Sequence, residues 1–355
     1  MFFGTDAADP GTERANTARR FTEYARVWFP AHSPLYAEWA EGVASDDGLL
    51  DLIRRLPPDK QQPNLVFAAA RFLGCPDDSF PVLAEFLRGR WDEVAAELAV
   101  RRTQTNEPAR CATLLPVLSR IQRETGKPLA LVELGPSAGL CLLPDRYAYQ
   151  YDHGAVLGAE NLASGAPLLA CSTAGDPPLP DRLPEIASRQ GVDLNPLDGA
   201  DPETARWLKC LVWPGQTDRL ARLTAALGVL TGHQRSAGMA PGGPVRLHRG
   251  DLLERVEPLV RAVPDEHTAV VLHSAVISYL PPEVRERFTE LVRTLDCRWI
   301  SNEGFFMDPS GSVPRERAGM FTLALDGVPL AYTGQHGAEL HWVPGGHWPE
   351  DGQQI

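Results

Sequence analysis

The stretch Leu129-Ala-Leu-Val-Glu-Leu-Gly-Pro-Ser-Ala-Gly-Leu140 decides the fold of this chain, because an apolar run ends on an acid and then breaks into a glycine-containing turn. Continuous apolar runs are typical of parallel strands buried on both faces, and α/β sheets bind ligands beyond the carboxyl ends of their strands. Glu133 lies at such an end. Gly135 and Gly139 permit a sharp turn and the close approach of a ligand, and Ser137 is a candidate helix N-cap. The stretch therefore predicts a strand that leads into a cofactor loop.

The spacing of this loop narrows the choice of cofactor. A dinucleotide fingerprint has the form G-x-G-x-x-G, whereas Gly135 and Gly139 lie four residues apart around a serine. The lysine of a phosphate-binding P-loop does not follow either. The pattern disfavours NAD and ATP and leaves S-adenosylmethionine (SAM) among the ligands that such turns bind.

Three later segments follow in the order that a SAM-binding sheet needs. The first, 191–196, carries Asp193 at the end of a strand, where its carboxylate can accept both ribose hydroxyls. The second, 245–251, ends in Gly-Asp, which places Asp251 where an adenine amino group can be read. The third is the apolar strand 268–273, which ends on His273 and is followed by Ser274, and both are candidate contacts of the cofactor loop.

The chain resembles class I SAM-dependent methyltransferases, and more closely an uncharacterised bacterial family, domain of unknown function 2332, that looks like them over nearly the full length. The resemblance rests on eight strings, which are NEPARC at 106–111, VELGPSAGL at 132–140, DRYAYQY at 145–151, GVDLNPLD at 191–198, RWLKCLVWP at 206–214, RGDLL at 249–253, VVLHSAVISYLPP at 270–282 and ISNEG at 300–304. It implies a SAM-type fold with an added N-terminal helical region. Asp193 follows Gly139 at much more than the roughly 20 residues that are usual, so an insertion at about 141–190 fills the gap.

The expected fold class is α/β, with a Rossmann-like, mostly parallel sheet of the class I methyltransferase type. Residues 1–125 are the predicted all-helical cap domain, and 126–355 are the predicted SAM-binding domain. Apolar periodicity and prolines indicate helices at 13–29, 34–44, 47–56, 63–73, 79–89, 91–103 and about 107–124. A fifth strand is expected at 297–302, and Asp326-Gly327 between apolar runs predicts a C-terminal antiparallel hairpin. A helical layer of this kind can cover the cofactor mouth or support a homodimer.

Composition limits the partners. The net charge is −12, and no basic block offers a surface for nucleic-acid phosphates, so we expect a small-molecule substrate and no nucleic acid. The six cysteines are scattered without a C-x-x-C pair, and His336, His341 and His347 lack metal-ligand spacing, so we expect reduced thiols and no metal. No apolar run of 18 residues occurs, which predicts a cytoplasmic protein without a membrane segment.

Methyl transfer needs alignment and, for a protonated nucleophile, a base. Glu303, which follows the fifth strand, is the candidate general base, with His273 as a second catalytic candidate. Tyr279 is a third, and Tyr279 and Asn302 can orient a substrate. Each also has a structural interpretation, since a glutamate after a strand often caps a helix or pairs with arginine.

A polar cluster before the first sheet strand is a candidate substrate site. Arg110 can bind a carboxylate bidentately and Glu107 an ammonium group, with Asn106 beside them. The alternative is a helix start, with Asn106 as N-cap. Tyr147 and Tyr149 of the insertion can wall the sulfonium side by cation–π contact, or they can pack a sheet edge.

Three functions are compatible with these residues. The first is a SAM-dependent methyltransferase that acts on a small polar metabolite under the helical cap. The second is a lyase or cyclase that consumes SAM itself and releases methylthioadenosine and a small-ring amino acid. The third is a non-catalytic SAM-binding protein.

Overall fold

The structure is a computed structural model that describes residues 10–236, 242–304 and 319–343. The chain divides into two units, one from the described residues of Met1–Thr105 and Glu203–Leu220, the other from those of Asn106–Pro202 and Ala221–Ile355. The sequence-based prediction differs, because it places the boundary between the cap domain and the SAM-binding domain between residues 125 and 126. Residues 106–125 thus group with the strands, and 203–220 group with the N-terminal helices. None of the helices described has the length and apolar character that a membrane crossing requires.

Twelve α-helices form in the described ranges. They are α1 (Pro10–Glu23), α2 (Pro34–Ala44), α3 (Asp47–Ile53), α4 (Pro63–Phe72), α5 (Phe80–Gly89), α6 (Trp91–Val100), α7 (Arg110–Thr125), α8 (Ala159–Leu162), α9 (Pro202–Cys210), α10 (Thr217–Arg235), α11 (Leu252–Arg261) and α12 (Pro282–Arg293). The seven helices predicted before the sheet are confirmed, with boundaries that shift by a few residues, and α1 continues into a wider π-helical turn at Tyr24–Trp28. Proline is favoured in the first turn of a helix, so the prolines in the first turns of α2 and α4 indicate where these helices begin.

Aromatic side chains form the core of the helical unit. Tyr36 packs on Phe67 with ring centroids 5.0 Å apart, and Phe29 meets Trp213 edge to face at 4.8 Å. Trp207 is 2% exposed and contributes to the same unit. The two tryptophans are therefore packing anchors, and edge-to-face pairs such as Phe29–Trp213 stabilise a core beyond the apolar area they bury.

The second unit holds a ten-stranded, mostly parallel sheet in the described residues. Its strands are β1 (Leu129–Leu134), β2 (Ala148–Tyr151), β3 (Leu168–Ala174), β4 (Ile186–Asp193), β5 (Val245–Arg249), β6 (Thr268–Ser274), β7 (Arg298–Gly304), β8 (Phe321–Leu325), β9 (Val328–Thr333) and β10 (Glu339–Trp342). Their order is β2-β3-β10-β9-β8-β7-β6-β1-β4-β5. The mixed α/β class is thereby confirmed.

Five parallel strands, β5-β4-β1-β6-β7, make up one side of this sheet. Every residue of β1 is buried, which accounts for its continuous apolar sequence. In β1, Glu133 stands beside Gly191 of β4 and Leu272 of β6. The carboxyl ends of three neighbouring strands therefore meet at one sheet edge, and the loop of Leu129–Leu140 leaves from its centre.

The antiparallel part of the sheet includes the predicted hairpin. Asp326 and Gly327 both have positive φ, 52° and 85°, and join β8 to β9. The aromatic segment of the insertion forms β2, a strand at the sheet edge, as expected. Within the insertion, Leu168–Ala174 forms β3 by pairing with β2 and β10.

Gly139 is required by both backbone and packing. Its φ is 76°, and a Cβ there would lie 2.9 Å from Val245 Cγ1 and 3.3 Å from Leu247 Cδ2. The absence of a side chain at Gly139 thus lets the loop pack directly against Val245 and Leu247 of β5. Gly126, which ends α7, has a similar φ of 66° but no atom within 4 Å of a Cβ.

We predict that Gly139→Ala lowers the free energy of unfolding by about 2–4 kcal/mol, the sum of the left-handed backbone cost and overpacking. Gly126→Ala is the matched control and should lose only about 1 kcal/mol. Urea denaturation followed by circular dichroism measures both. Equal losses would show that contact with β5 is not what demands glycine at position 139.

Candidate functional site

The loop after β1 has three residues in left-handed conformations. Gly135, Ser137 and Gly139 have φ of 66°, 53° and 76°. The prediction that Ser137 is a helix N-cap is wrong, since single 3-10 turns at Leu140–Leu142 and Pro144–Arg146 follow in place of an α-helix. Ser137 is a strained non-glycine position, and such strain persists only where the surroundings enforce it.

Two side chains from distant parts of the sequence enforce this conformation. Asp193 Oδ2 accepts a hydrogen bond from Ser137 N at 2.9 Å, and its Oδ1 accepts one from Asn195 N at 2.7 Å. Asn106 Nδ2 donates to Ser137 Oγ at 2.8 Å, and Asn106 Oδ1 accepts from Ala138 N at 3.0 Å. Asp193 thus lies at the loop, and its predicted contact with ribose hydroxyls stays a prediction. Asn106 also belongs to the loop and neither caps α7 nor reaches into solvent for a substrate.

Glu133 is a strand-end acid with a buried carboxyl oxygen, Oε2, that has no hydrogen-bond partner in the described residues. Burial raises the pKa of the Glu133 carboxyl well above its ordinary value; the Cys141 and Asp193 side chains add to the rise, whereas Arg110 opposes it. A buried carboxyl with an unmet acceptor is costly, and a cation placed beside it would remove that cost.

Glu107 and Arg110 of the predicted substrate cluster bind other parts of the protein. Arg110 donates from Nε to Gln335 O and from a terminal nitrogen to Ser274 O, each at 3.0 Å. Glu107 has a fully buried side chain, and its Oε1 accepts from Ala109 N at 3.2 Å and lies 3.6 Å from Arg222 Nε. These donors and acceptors join the start of α7 to the turns after β6 and β9. Arg110 is the first residue of α7, but Asn106 does not cap this helix and Arg110 donates to backbone carbonyls, so neither the helix-start alternative nor a grip on a free carboxylate describes this geometry.

His273 and Glu303 form a buried pair at the ends of β6 and β7. His273 Nδ1 lies 2.7 Å from Glu303 Oε1, and Trp299 Nε1 donates to His273 Nε2 at 3.0 Å. Because an indole nitrogen can only donate, Nε2 accepts, and Nδ1 carries the proton that it donates to Glu303. Both ring nitrogens of His273 are therefore engaged by protein groups.

The Glu303 carboxylate also holds the turn after β6. It accepts hydrogen bonds from Val276 N at 3.0 Å, Ile277 N at 3.2 Å and Ser278 N at 3.4 Å. Burial opposes ionisation of this group, but the hydrogen bonds from His273 and the backbone outweigh it and lower the pKa of Glu303. A carboxylate so heavily hydrogen-bonded is a weak base and a strong anchor.

The remaining candidates divide into packing groups and surface groups. Asn302 is fully buried, and its Nδ2 donates to Ser274 Oγ at 3.2 Å. Tyr147 and Tyr149 are fully buried and donate to backbone carbonyls, so they match the edge-packing alternative. Tyr279 is 83% exposed, and its side chain has no partner in the described ranges.

Asp251 follows β5 and is exposed; its Oδ1 accepts from Leu253 N at 2.8 Å and so caps α11. Its strand end neighbours that of Asp193, because Asp193 and Arg249 are paired in the β4–β5 register. The structure thus brings Glu133, Asp193 and the glycine loop together and leaves Asp251 at the next strand end. Of the three histidines of the C-terminal part, His347 lies outside the described residues.

Sequence reasoning missed several partners of these groups. Trp299, which fixes the tautomer of His273, and Arg222, which faces Glu107, lie far from them in the chain. Parallel pairing of β6 with β7 sets Trp299 beside Val271, two residues before His273. A local pattern carries no sign of such a pairing, so only the register could have indicated it.

A family model matches residues 18–342, and its description is "Uncharacterized protein conserved in bacteria (DUF2332)". The chain belongs to this family. Among curated proteins, no sequence matches it. The family supplies no chemistry, so any function must be argued from the residues of the site.

We predict that Glu133→Gln changes how stability depends on pH. A carboxyl whose pKa is raised on folding binds its proton more tightly in the folded state, so it destabilises the wild type progressively as pH rises above the pKa of the unfolded chain. The amide cannot ionise. The stability of the variant relative to the wild type should therefore rise between pH 5 and pH 8, by about 1.4 kcal/mol for each unit by which folding raises the pKa of this carboxyl.

Urea denaturation at both pH values measures this difference. Glu124→Gln, which changes a surface glutamate of α7 that pairs with Arg120, is the control and should show no such gain. A Glu133→Gln difference that stays constant with pH would mean that the carboxyl is not protonated preferentially in the folded state.

Proposed function

We propose that this protein binds SAM at the loop after β1 and transfers its methyl group to a small polar metabolite. The observation that carries the proposal is the buried Glu133 carboxyl, whose Oε2 lacks a partner in the described residues, beside a loop that Asp193 holds in a left-handed conformation. It is an acidic cradle at the carboxyl edge of a parallel sheet, where α/β proteins bind their ligands.

The strand order supports a Rossmann-like sheet of the class I methyltransferase type. Within the parallel set β5-β4-β1-β6-β7, counting only these strands in chain order gives 3-2-1-4-5, which is the doubly wound arrangement. The antiparallel hairpin β8–β9 lies next to β7. Two features depart from the expected pattern: 3-10 turns follow the loop, and β10, β3 and β2 extend the sheet.

The residues present fit the groups of SAM. Each carboxylate oxygen has two acceptor positions, and the backbone bonds from Ser137 and Asn195 use one on each oxygen of Asp193, which leaves capacity for two ribose hydroxyls. Glu133 offers the free acceptor that the methionine ammonium needs, and Asp251 Oδ2 is available for the adenine amino group. When bound, SAM supplies the electrophilic methyl group.

The chain's own contribution is binding and orientation. Glu133 gives up its proton as an ammonium group approaches, because an adjacent cation favours the charged carboxylate. Glu303 and His273 act as positioning residues in this proposal, since they hold the turn 275–278, whose Val276 would clash with a Cβ at Gly135. Alignment of this kind can supply much of the acceleration of a displacement reaction.

Product analysis tests the reaction. Purified protein is incubated with SAM, with and without a small-metabolite extract, and the products are identified by mass spectrometry. We expect S-adenosylhomocysteine to form only with the extract, with the methyl group on an extract component. Methylthioadenosine formed from SAM alone would replace methyl transfer by a lyase or cyclase reaction, and calorimetric binding without any product would leave only a binding role.

We predict that Asp251→Asn weakens SAM binding about 5- to 150-fold, which corresponds to about 1–3 kcal/mol for one lost hydrogen bond in the site. Asparagine keeps the cap of α11 through Oδ1 but presents a donor where the adenine amino group needs an acceptor. Asp46→Asn, which alters the N-cap of α3 in the helical unit, is the control. Titration calorimetry compares the three proteins, and unchanged affinity in Asp251→Asn would remove Asp251 from the site.

A further inference from the structure

The described residues enclose a cavity that the glycine loop does not line. Its volume is about 510 Å³, and it runs along α12 where this helix faces strands β6 to β9. This volume is within the range of small-molecule sites. No residue of the loop 135–139 lines it, and neither does Asp193. His273 and Glu303, which hold the turn after β6, do line it, but none of the proposed SAM contacts Glu133, Asp193 and Asp251 does, so a ligand of this cavity would not be the bound SAM.

The floor of the cavity is apolar and rigid. Phe288 and Trp299 meet edge to face, with ring centroids 5.9 Å apart, and Ala324 and Pro329 continue the surface on the hairpin. The hydrogen bond from Trp299 to His273 Nε2 fixes the indole. A fixed aromatic wall of this kind binds a flat or branched apolar group at little cost in side-chain entropy.

The rim of the cavity carries charges of both signs. Glu286, Glu290 and Arg293 lie four and three residues apart on α12, so they share one helix face. Across the ranges that the structure describes, none of the three makes a hydrogen bond or an ion pair. Arg293 reaches over the hairpin turn, where its guanidinium would lie 3.2 Å from a Cβ at Gly327.

We propose that this cavity binds a small zwitterion with an apolar side chain, namely an aromatic or branched α-amino acid. A purely anionic ligand would meet Glu286 and Glu290, and a purely cationic one would meet Arg293, so either would be repelled by part of the rim. An α-amino acid presents its ammonium group to the glutamates and its carboxylate to Arg293, and its side chain covers Phe288 and Trp299. This inference goes beyond the proposed methyl transfer and does not depend on it.

Titration calorimetry on the full chain without SAM tests the proposal. The probes are L-phenylalanine and L-leucine, with 3-phenylpropionate, phenethylamine and N-acetyl-L-phenylalaninamide as analogues that lack one or both charges. We expect at least one amino acid to bind and each analogue to bind at least tenfold more weakly. Binding of an analogue as tight as that of L-phenylalanine, or no binding by either amino acid at millimolar concentration, would overturn the proposal.

Matched variants of α12 test whether the amino acid binds in this cavity. Arg293→Gln and Glu290→Gln should each weaken amino-acid binding at least fivefold. Arg287→Gln and Glu283→Gln change the same residue types on the same helix, at exposed positions outside the cavity lining, and should leave binding unchanged. Equal losses in both sets would show that the general charge of α12, rather than this cavity, attracts the ligand. Because SAM is absent, a negative result here leaves the methyltransferase proposal intact.

Discussion

The hydrogen bond from Ser137 N to Asp193 Oδ2 is the interaction on which the sheet edge depends. It joins the loop after β1 to the end of the neighbouring β4 and holds a non-glycine residue at a φ of 53°. Asn106 completes the restraint from the other side. Together these bonds offset the backbone strain, so the loop is preorganised before any ligand arrives, which reduces the ordering cost of binding.

The same device recurs at this edge and at the opposite edge of the sheet, where the turn between β8 and β9 lies beside the start of β7. Glu303 accepts three backbone N–H groups of the turn after β6, and Asp326 accepts Trp299 N at 2.7 Å while it pairs with Arg298. The carboxylates of Glu303 and Asp326 therefore already have hydrogen-bond partners within the protein. Glu133 differs from these acids because it is buried and its Oε2 accepts no hydrogen bond from the described residues, which raises the pKa of its carboxyl. An unused acceptor of this kind makes Glu133 the best candidate for a ligand contact. A perturbed acid in a rigid surround is a frequent mark of a functional site.

The candidate catalytic and binding residues show that the type and position of a side chain do not by themselves indicate its role. His273 and Glu303 stand at the strand ends where the sequence placed them, yet their polar atoms bind each other, Trp299 and the backbone. Arg110 has the fork expected of a carboxylate ligand, yet it donates to the backbone of Ser274 and Gln335. The positions were predictable because strands and turns are local. The roles were not, because each partner is more than 20 residues away in the chain.

The sequence by itself determined the helical N-terminal region, the buried strand β1 with its glycine turn, the order of the strand-end acids and the hairpin at Asp326-Gly327. Apolar periodicity, prolines and turn residues act over a few positions, so these features need no knowledge of the fold. Only the tertiary structure decided that 168–174 is a strand, that Ser137 is not a helix cap, and which donors and acceptors are already used. Strand register and burial set those outcomes, since they bring together groups such as Asn106 and Ser137, or Glu303 and Val276, that no local pattern connects.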